Sequence, residues 1–108
     1  VNIHFKNDKP SLDEIKSIWS NFKGLPQTEK FPMAPERPII YFDEENRPQP
    51  KLDRDLEKGM AVTVGRLEED KFFDVRYVAL SHNTIRGAAG GAILMAELLV
   101  KKGYIHGK

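Results

Sequence analysis

Cysteine is missing from all 108 residues. That excludes a disulfide, a thiolate metal site and a thiol nucleophile within this chain. Any covalent sulfur chemistry the segment serves must be supplied from elsewhere. Long apolar runs are missing too. The longest uncharged stretch near the end, Gly87 to Ala96, falls far short of the roughly 20 residues that span a bilayer. No basic segment followed by an apolar one opens the chain, so neither a secretory signal peptide nor a membrane partner is expected, and the expected location is cytoplasmic. An excess of either charge is also absent, with 17 Lys and Arg against 16 Asp and Glu. Without a basic cluster larger than a pair there is no electrostatic footprint for nucleic acid, although a small local anion site stays compatible. The first residue is Val1 rather than methionine, from which a natural start elsewhere is expected.

What is present is ordinary for a globular domain, with 40% apolar and 31% charged residues. One domain with a modest core fits this length. Val1 to Phe5 alternates as a short half-buried strand does. Ser11 suits an N-cap, Glu14 completes the capping-box pattern, and Leu12, Ile15, Ile18, Trp19 and Phe22 recur at helical spacing up to Gly24 and Pro26. From Leu25 to Pro50 the chain carries six of its seven prolines. Within it Pro38–Phe42 reads as a strand, and Arg47-Pro48-Gln49-Pro50 as an extended surface or interface segment. Met60–Leu67 and Phe72–Leu80 both alternate and flank a polar link, the pattern of a hairpin. One face would carry Val62, Val64, Phe73, Val75 and Tyr77. Thr63, Asp74 and Arg76 would point outward or toward a second layer.

The final helix is expected from Thr84 or Ile85 to about Lys102. Its first turns carry no charge on any side, the mark of a helix that is covered all round. Gly90 and Gly91 lie within those turns, and each glycine in a helix interior costs about 1 kcal/mol relative to alanine. Close approach by another backbone or a flat ligand is the expected compensation. A single small sheet and one other helix cover only one side. The remainder is buried either in a homodimer or, as the preferred reading, by a second domain. Ser81-His82-Asn83-Thr84 suits phosphate or carboxamide binding at a helix start, but Asn and Thr there are also ordinary caps.

These residues resemble a known family. Ser81-His82-Asn83-Thr84-Ile85-Arg86-Gly87-Ala88-Ala89-Gly90-Gly91-Ala92-Ile93-Leu94 is similar to the C-terminal signature of the archaeal and fungal type of aspartate-semialdehyde dehydrogenase. Arg47-Pro48-Gln49-Pro50-Lys51-Leu52-Asp53-Arg54-Asp55 with Gly59–Arg66 resembles a second signature of that family. Lys23–Gln27 and Ala34–Ile39 agree in order and spacing. The resemblance implies an α+β fold, an antiparallel or mixed sheet with packed helices. Residues 1–80 would form part of the catalytic and dimerisation domain. Residues 81–108 would form the helix segment that packs on a Rossmann nucleotide domain missing from this chain. It also implies a homo-oligomer, dimer or tetramer, acting on a small-molecule substrate. The implied reaction is reduction of aspartyl-4-phosphate with NADPH through a cysteine thioester.

The nucleophilic cysteine, the strand ending in Gly-His and the glycine-rich nucleotide fingerprint of that family are not in this sequence. No catalytic residue and no metal ligand is therefore assigned here, and the chain alone is expected to be inactive. His4, His82 and His106 are read as structural or solvent-facing. By the resemblance Asn83, Thr84 and Gly87 approach the nicotinamide end of NADP once the first domain is present. Arg47, Asp53 and Arg54 are read as a salt-bridged turn bracing the domain in preference to substrate contacts. Met95 stands where relatives often carry Asn or a small residue, which weakens any polar contact there. Archaeal malonyl-CoA reductases share the Asn-Thr-x-Arg-Gly-Ala-Ala-Gly-Gly helix, but the intact Pro50–Asp55 favours the aspartate-semialdehyde branch.

Overall fold

The computed structural model describes residues 1–107. Helix α1 (Leu12–Asn21) begins at a Ser11 cap: the Ser11 hydroxyl accepts from the Glu14 N–H at 3.1 Å. That satisfies one of the donors that a first helical turn leaves open. The helix stops at Phe22, in extended backbone, two residues before the glycine. Gly24 instead opens a further single turn, α2 (Leu25–Thr28), where its N–H donates to Gln27 Oε1 at 2.9 Å. The proline-rich stretch is thus less irregular than its composition suggests.

The sheet is mixed, with β1 (Asn2–Ile3), β2 (Ile39–Phe42), β3 (Val62–Glu69) and β4 (Val75–Leu80) in the order β1-β4-β3-β2. β3 and β4 form the expected antiparallel hairpin, and β1 adds antiparallel to β4. β2 runs parallel to β3, with Ile39 opposite Val62 and Phe42 opposite Gly65. A parallel pair needs a long crossover. Residues 43–61 supply it, containing α3 (Pro50–Asp53) and a 3-10 turn (Leu56–Gly59). Helix α1 lies on one face of the sheet, where Ile15, Leu67 and Val75 form the buried centre. Trp19 fits between Tyr41 and Tyr77, with ring centroids 5.9 and 4.9 Å away. Such aromatic pairs add roughly 0.5–1.5 kcal/mol beyond the area they bury.

Two expectations for the hairpin are corrected. Strand β3 runs on through Glu69, so the link begins at Asp70, whose carboxylate accepts from the N–H groups of Phe72 and Phe73 at 3.1 and 2.8 Å. This turn carries Phe73 off the buried face and leaves it 46% exposed. The ladder also shifts between Gly65 and Glu68, where exposed Arg66 adopts a left-handed φ of 56°. The extra residue restores Leu67 to the core, as a β-bulge does. Of the two orientations expected for Thr63, outward or toward a second layer, it takes the second: it is only 1% exposed, and its hydroxyl has no partner among the described residues. Its face carries the second layer formed by the crossover. Asp74 also turns inward and accepts from the Phe5 N–H at 2.6 Å, while Arg76 stays exposed and pairs with Glu68 at 2.8 Å.

The last helix, α4 (Gly90–Lys101), follows a five-residue π-turn (Ile85–Ala89). Its flanks are bare: Ile93, Met95 and Val100 are 50%, 56% and 55% exposed. The whole chain exposes 7777 Å², against about 6,100 Å² for a compact monomer of 12.3 kDa. Its radius of gyration is 16.0 Å, where about 13 Å suits a compact domain of this length. Both excesses describe an extended body, and the exposed α4 side chains make part of its surface apolar. Among the described residues no helix is long and apolar enough to cross a membrane.

Candidate functional site

Two sequence segments meet at the start of α4: the crossover from Arg47 to Met60 and the turn from Ser81 to Ala89. The crossover is anchored first. Asp53 is 1% exposed, and its carboxylate accepts from Arg47 Nε at 2.9 Å, from Arg47 Nη2, and from the Gln49 N–H at 2.7 Å. These donors hold the Asp53 carboxyl below the usual aspartate range, the Arg47 hydrogen bonds being the largest cause, against a desolvation that acts the other way. The Arg47 guanidinium lies over the Phe42 ring at 4.3 Å, and its proton is held more tightly than usual by Asp53. The Arg47–Pro48 peptide is cis. Beneath it lies Gly65, where a Cβ would strike the Arg47 carbonyl and come within 2.9 Å of Pro48 Cδ.

The segment expected to be extended surface or interface chain is therefore a half-buried layer pressed on this chain's own sheet, which corrects its expected exposure. Arg47 and Asp53 brace the fold. Arg54 is exposed and lies 3.6 Å from its neighbour Asp55, apart from the buried pair.

The braced crossover presents Asp55, Gly59 and Met60 to the turn. Gly59, at φ 82°, lies against the Ile85 side chain, which a Cβ would meet at 3.0–3.2 Å. A Cβ on Gly90 would collide with Met60 Sδ and would meet the Ile85 carbonyl at 2.9 Å. A Cβ on Gly91 would lie 2.6 Å from the Arg86 carbonyl. The two glycines thus have a local reason. The turn is wound with five-residue hydrogen bonds, Gly87 to His82, Ala89 to Thr84 and Gly90 to Ile85, and the wider winding swings carbonyls into the space a side chain would fill. Such π-turns within helices recur at functional sites.

The turn brings Asn83, Thr84 and Gly87 together at an exposed edge. Asn83 Oδ1 lies 3.7 Å from the position a Cβ on Gly87 would take, and all three residues are exposed. The capping group is neither Asn83 nor Thr84 but the half-buried His82 ring, whose Nδ1 accepts from the Ile85 N–H at 3.2 Å. Of the structural or solvent-facing roles expected for His82 it takes a structural one, as a cap, for which histidine is not a preferred residue type. His4 lies just beyond β1, 3.4 Å from Asp74, and His106 is exposed in the tail. Met95 is on the exposed flank of α4.

Helix α4 is held on one side by the loop at residues 29–34. The Met33 N–H donates to both Glu97 carboxylate oxygens at 3.1 Å, and Lys101 pairs with Glu29 at 3.0 Å. The resulting assembly can offer amide, hydroxyl and backbone groups to a polar ligand. It contains no thiol, and among the described residues no cluster of three acidic, His or Cys side chains could hold a metal.

Residues 1–86 match the family model described as "Semialdehyde dehydrogenase, dimerisation domain". The chain is 53% identical over 95 residues to an aspartate-semialdehyde dehydrogenase of Methanothermobacter thermautotrophicus, covering 86% of this chain and 27% of that protein. It is 49% identical to the aspartate-semialdehyde dehydrogenase of Aspergillus fumigatus, covering 97% of this chain and 30% of that one. It is also 50% identical to a malonyl CoA reductase (NADP) of Metallosphaera sedula, covering 95% and 29% respectively. The crystal structure of aspartate semialdehyde dehydrogenase with NADP from Candida albicans superposes with a TM-score of 0.85 at 41% identity, covering 94% of this chain and 29% of that one. The chain spans less than a third of the length of these relatives. The chain belongs to the semialdehyde dehydrogenase dimerisation-domain family.

Proposed function

We propose that this chain is the C-terminal portion of an NADP-dependent aspartate-semialdehyde dehydrogenase. That enzyme converts aspartyl-4-phosphate, NADPH and a proton into aspartate semialdehyde, phosphate and NADP. The observation that carries this reading is the juxtaposition at α4: a tightly braced turn of small residues, open at its edge, beside apolar helix flanks that none of the described residues covers. The division proposed is residues 1–80 for the catalytic and dimerisation domain and residues 81–108 for the segment contacting the nucleotide domain. The assembly is a cytoplasmic homo-oligomer, dimer or tetramer.

The residues at the turn fit the nicotinamide end of the cofactor. Bound there, NADP supplies hydride exchange. The chain's own part is to bind and exclude: Asn83 and Thr84 offer polar groups, Gly87 leaves room beside them, and Ala88 and Ala89 keep the approach free of bulk. The nucleophile and the proton-handling histidine belong to the remainder of the enzyme, since this chain brings no thiol and its His82 ring is engaged in the cap.

The 50% identity to a malonyl CoA reductase supports a second reading, in which the substrate is that thioester. Steady-state assays of the complete polypeptide separate the two. Aspartate semialdehyde with phosphate and NADP should yield NADPH, and malonyl-CoA with NADPH should not be turned over. Turnover of malonyl-CoA alone would move the assignment to the second reading. Activity with neither would end the proposal.

A further inference from the structure

The His82 ring lies between the crossover and the turn, and both of its nitrogens face a partner. Nδ1 is 3.2 Å from the Ile85 nitrogen and 3.3 Å from Thr84 Oγ1. A backbone N–H only donates, so Nδ1 must be the bare nitrogen of the ring. The ring proton then sits on Nε2, the atom facing Asp55 Oδ1 at 3.8 Å. A bare Nδ1 has one lone pair and cannot donate, so the Ile85 N–H and the Thr84 hydroxyl share it, with the hydroxyl hydrogen turned toward the ring. The consequence falls on Thr84. With its hydrogen turned to His82, the hydroxyl presents the lone-pair side of its oxygen to a ligand. Thr84 is exposed, so those lone pairs are within reach of a ligand.

We infer that His82 is a positioning residue for the cofactor turn: it caps the turn through Ile85 and orients the Thr84 hydroxyl to accept from an amide donor such as the carboxamide NH2 of nicotinamide. This deepens the NADP reading above and rests on it. The geometry gives the edge a polarity. Thr84 favours a ligand that brings an N–H and gains nothing from one that brings only a carbonyl. Asp55 places a carboxylate 3.8 Å from the far ring nitrogen, so the Pro50–Asp55 signature and the Asn83–Gly87 signature lie on either side of a single imidazole.

The test is equilibrium binding by the complete polypeptide of NADP and of its 3-acetylpyridine analogue, in which a methyl ketone replaces the carboxamide. His82→Ala and Thr84→Val should each weaken NADP roughly five- to tenfold, the worth of one oriented hydrogen bond, while changing analogue binding far less. Thr84→Ser, which keeps the hydroxyl, should restore the preference for NADP. His82→Asn, whose carbonyl can cap, should recover part of it. A NADP-to-analogue ratio that stays at the wild-type value in both His82→Ala and Thr84→Val overturns the inference, even if His82→Ala lowers the unfolding temperature. If His82→Ala does not fold, the Thr84→Val and Thr84→Ser pair decides alone. Failure of the wild-type polypeptide to bind NADP at all would instead remove the cofactor reading beneath it.

Discussion

The N–H of Gly90 reaches back five residues to the carbonyl of Ile85, and this one bond sets the geometry at the entrance to α4. It pushes the Ile85 and Arg86 carbonyls toward the helix that follows, so positions 90 and 91 accept only glycine. In an ordinary helix Gly91→Ala would gain about 1 kcal/mol of propensity. Here the new Cβ would lie 2.6 Å from the Arg86 carbonyl, and overpacking of that kind costs roughly 1–3 kcal/mol. The clash wins. Gly91→Ala should lower stability in urea titrations of the complete protein and weaken NADP binding. A stability gain would mean that the turn relaxes to an α-helix without loss.

Gly65→Ala tests the layer beneath the site. Its Cβ would strike the Arg47 carbonyl, which is backbone and has no rotamer to yield. A loss of at least about 1–3 kcal/mol is expected in chemical denaturation, with displacement of the Arg47–Asp53 pair visible in a crystal structure.

Asp53 should make stability depend on acid. Its carboxyl is held below the ordinary value of 3.8 by Arg47, so the folded state favours the ionised form. That contribution is complete above the unfolded-state value and is lost as pH falls through the lower folded value. The urea midpoint of the wild-type protein should therefore drop below about pH 4 more steeply than that of Asp53→Asn. Asp53→Asn should also be the less stable of the two at neutral pH, because the Arg47 guanidinium loses its counter-charge. The lone Trp19, packed between Tyr41 and Tyr77, provides the fluorescence signal for these titrations. Parallel pH profiles for the two proteins would refute the assignment.

The bare flank of α4 makes a prediction that depends on context. Ile93→Lys in residues 1–108 alone places a charge where the side chain is already half in water, and the change should stay within about 0.5 kcal/mol. In the complete polypeptide the same change would bury a lysine at a domain contact, and a loss of roughly 2–3 kcal/mol is expected. Equal effects in both would show that no other part of the protein covers this flank.

Much of this was legible in the residues, and what was not has particular causes. Ser11 and the Leu12–Trp19 spacing mark α1 because capping and amphipathic periodicity are local. The β3–β4 hairpin is visible for the same reason, and so is the need of the Gly87–Ala96 helix for cover. The parallel pairing of β2 with β3 is a long-range choice that no single strand encodes. Arg66 takes a left-handed φ with no glycine to announce it, and the bulge there returns Leu67 to the core. The Arg47–Asp53 brace was legible, but the burial of Asp53 was not, because it lies in a charged, proline-rich stretch that resembles solvent-facing chain and depends on Arg47 six residues earlier closing over it. At the site, Asn83, Thr84 and Gly87 were marked by the family resemblance. His82 was not, because its function depends on a five-residue turn that only the folded backbone displays.

The central claim is that the Thr84–Gly91 turn faces the cofactor of a larger enzyme. Amide hydrogen exchange across this segment in the complete polypeptide, measured with and without NADP, tests it most directly. The account predicts slower exchange from Thr84 to Gly91 on adding NADP, with the α1 amides unchanged. Exchange in the turn that ignores saturating NADP would contradict it.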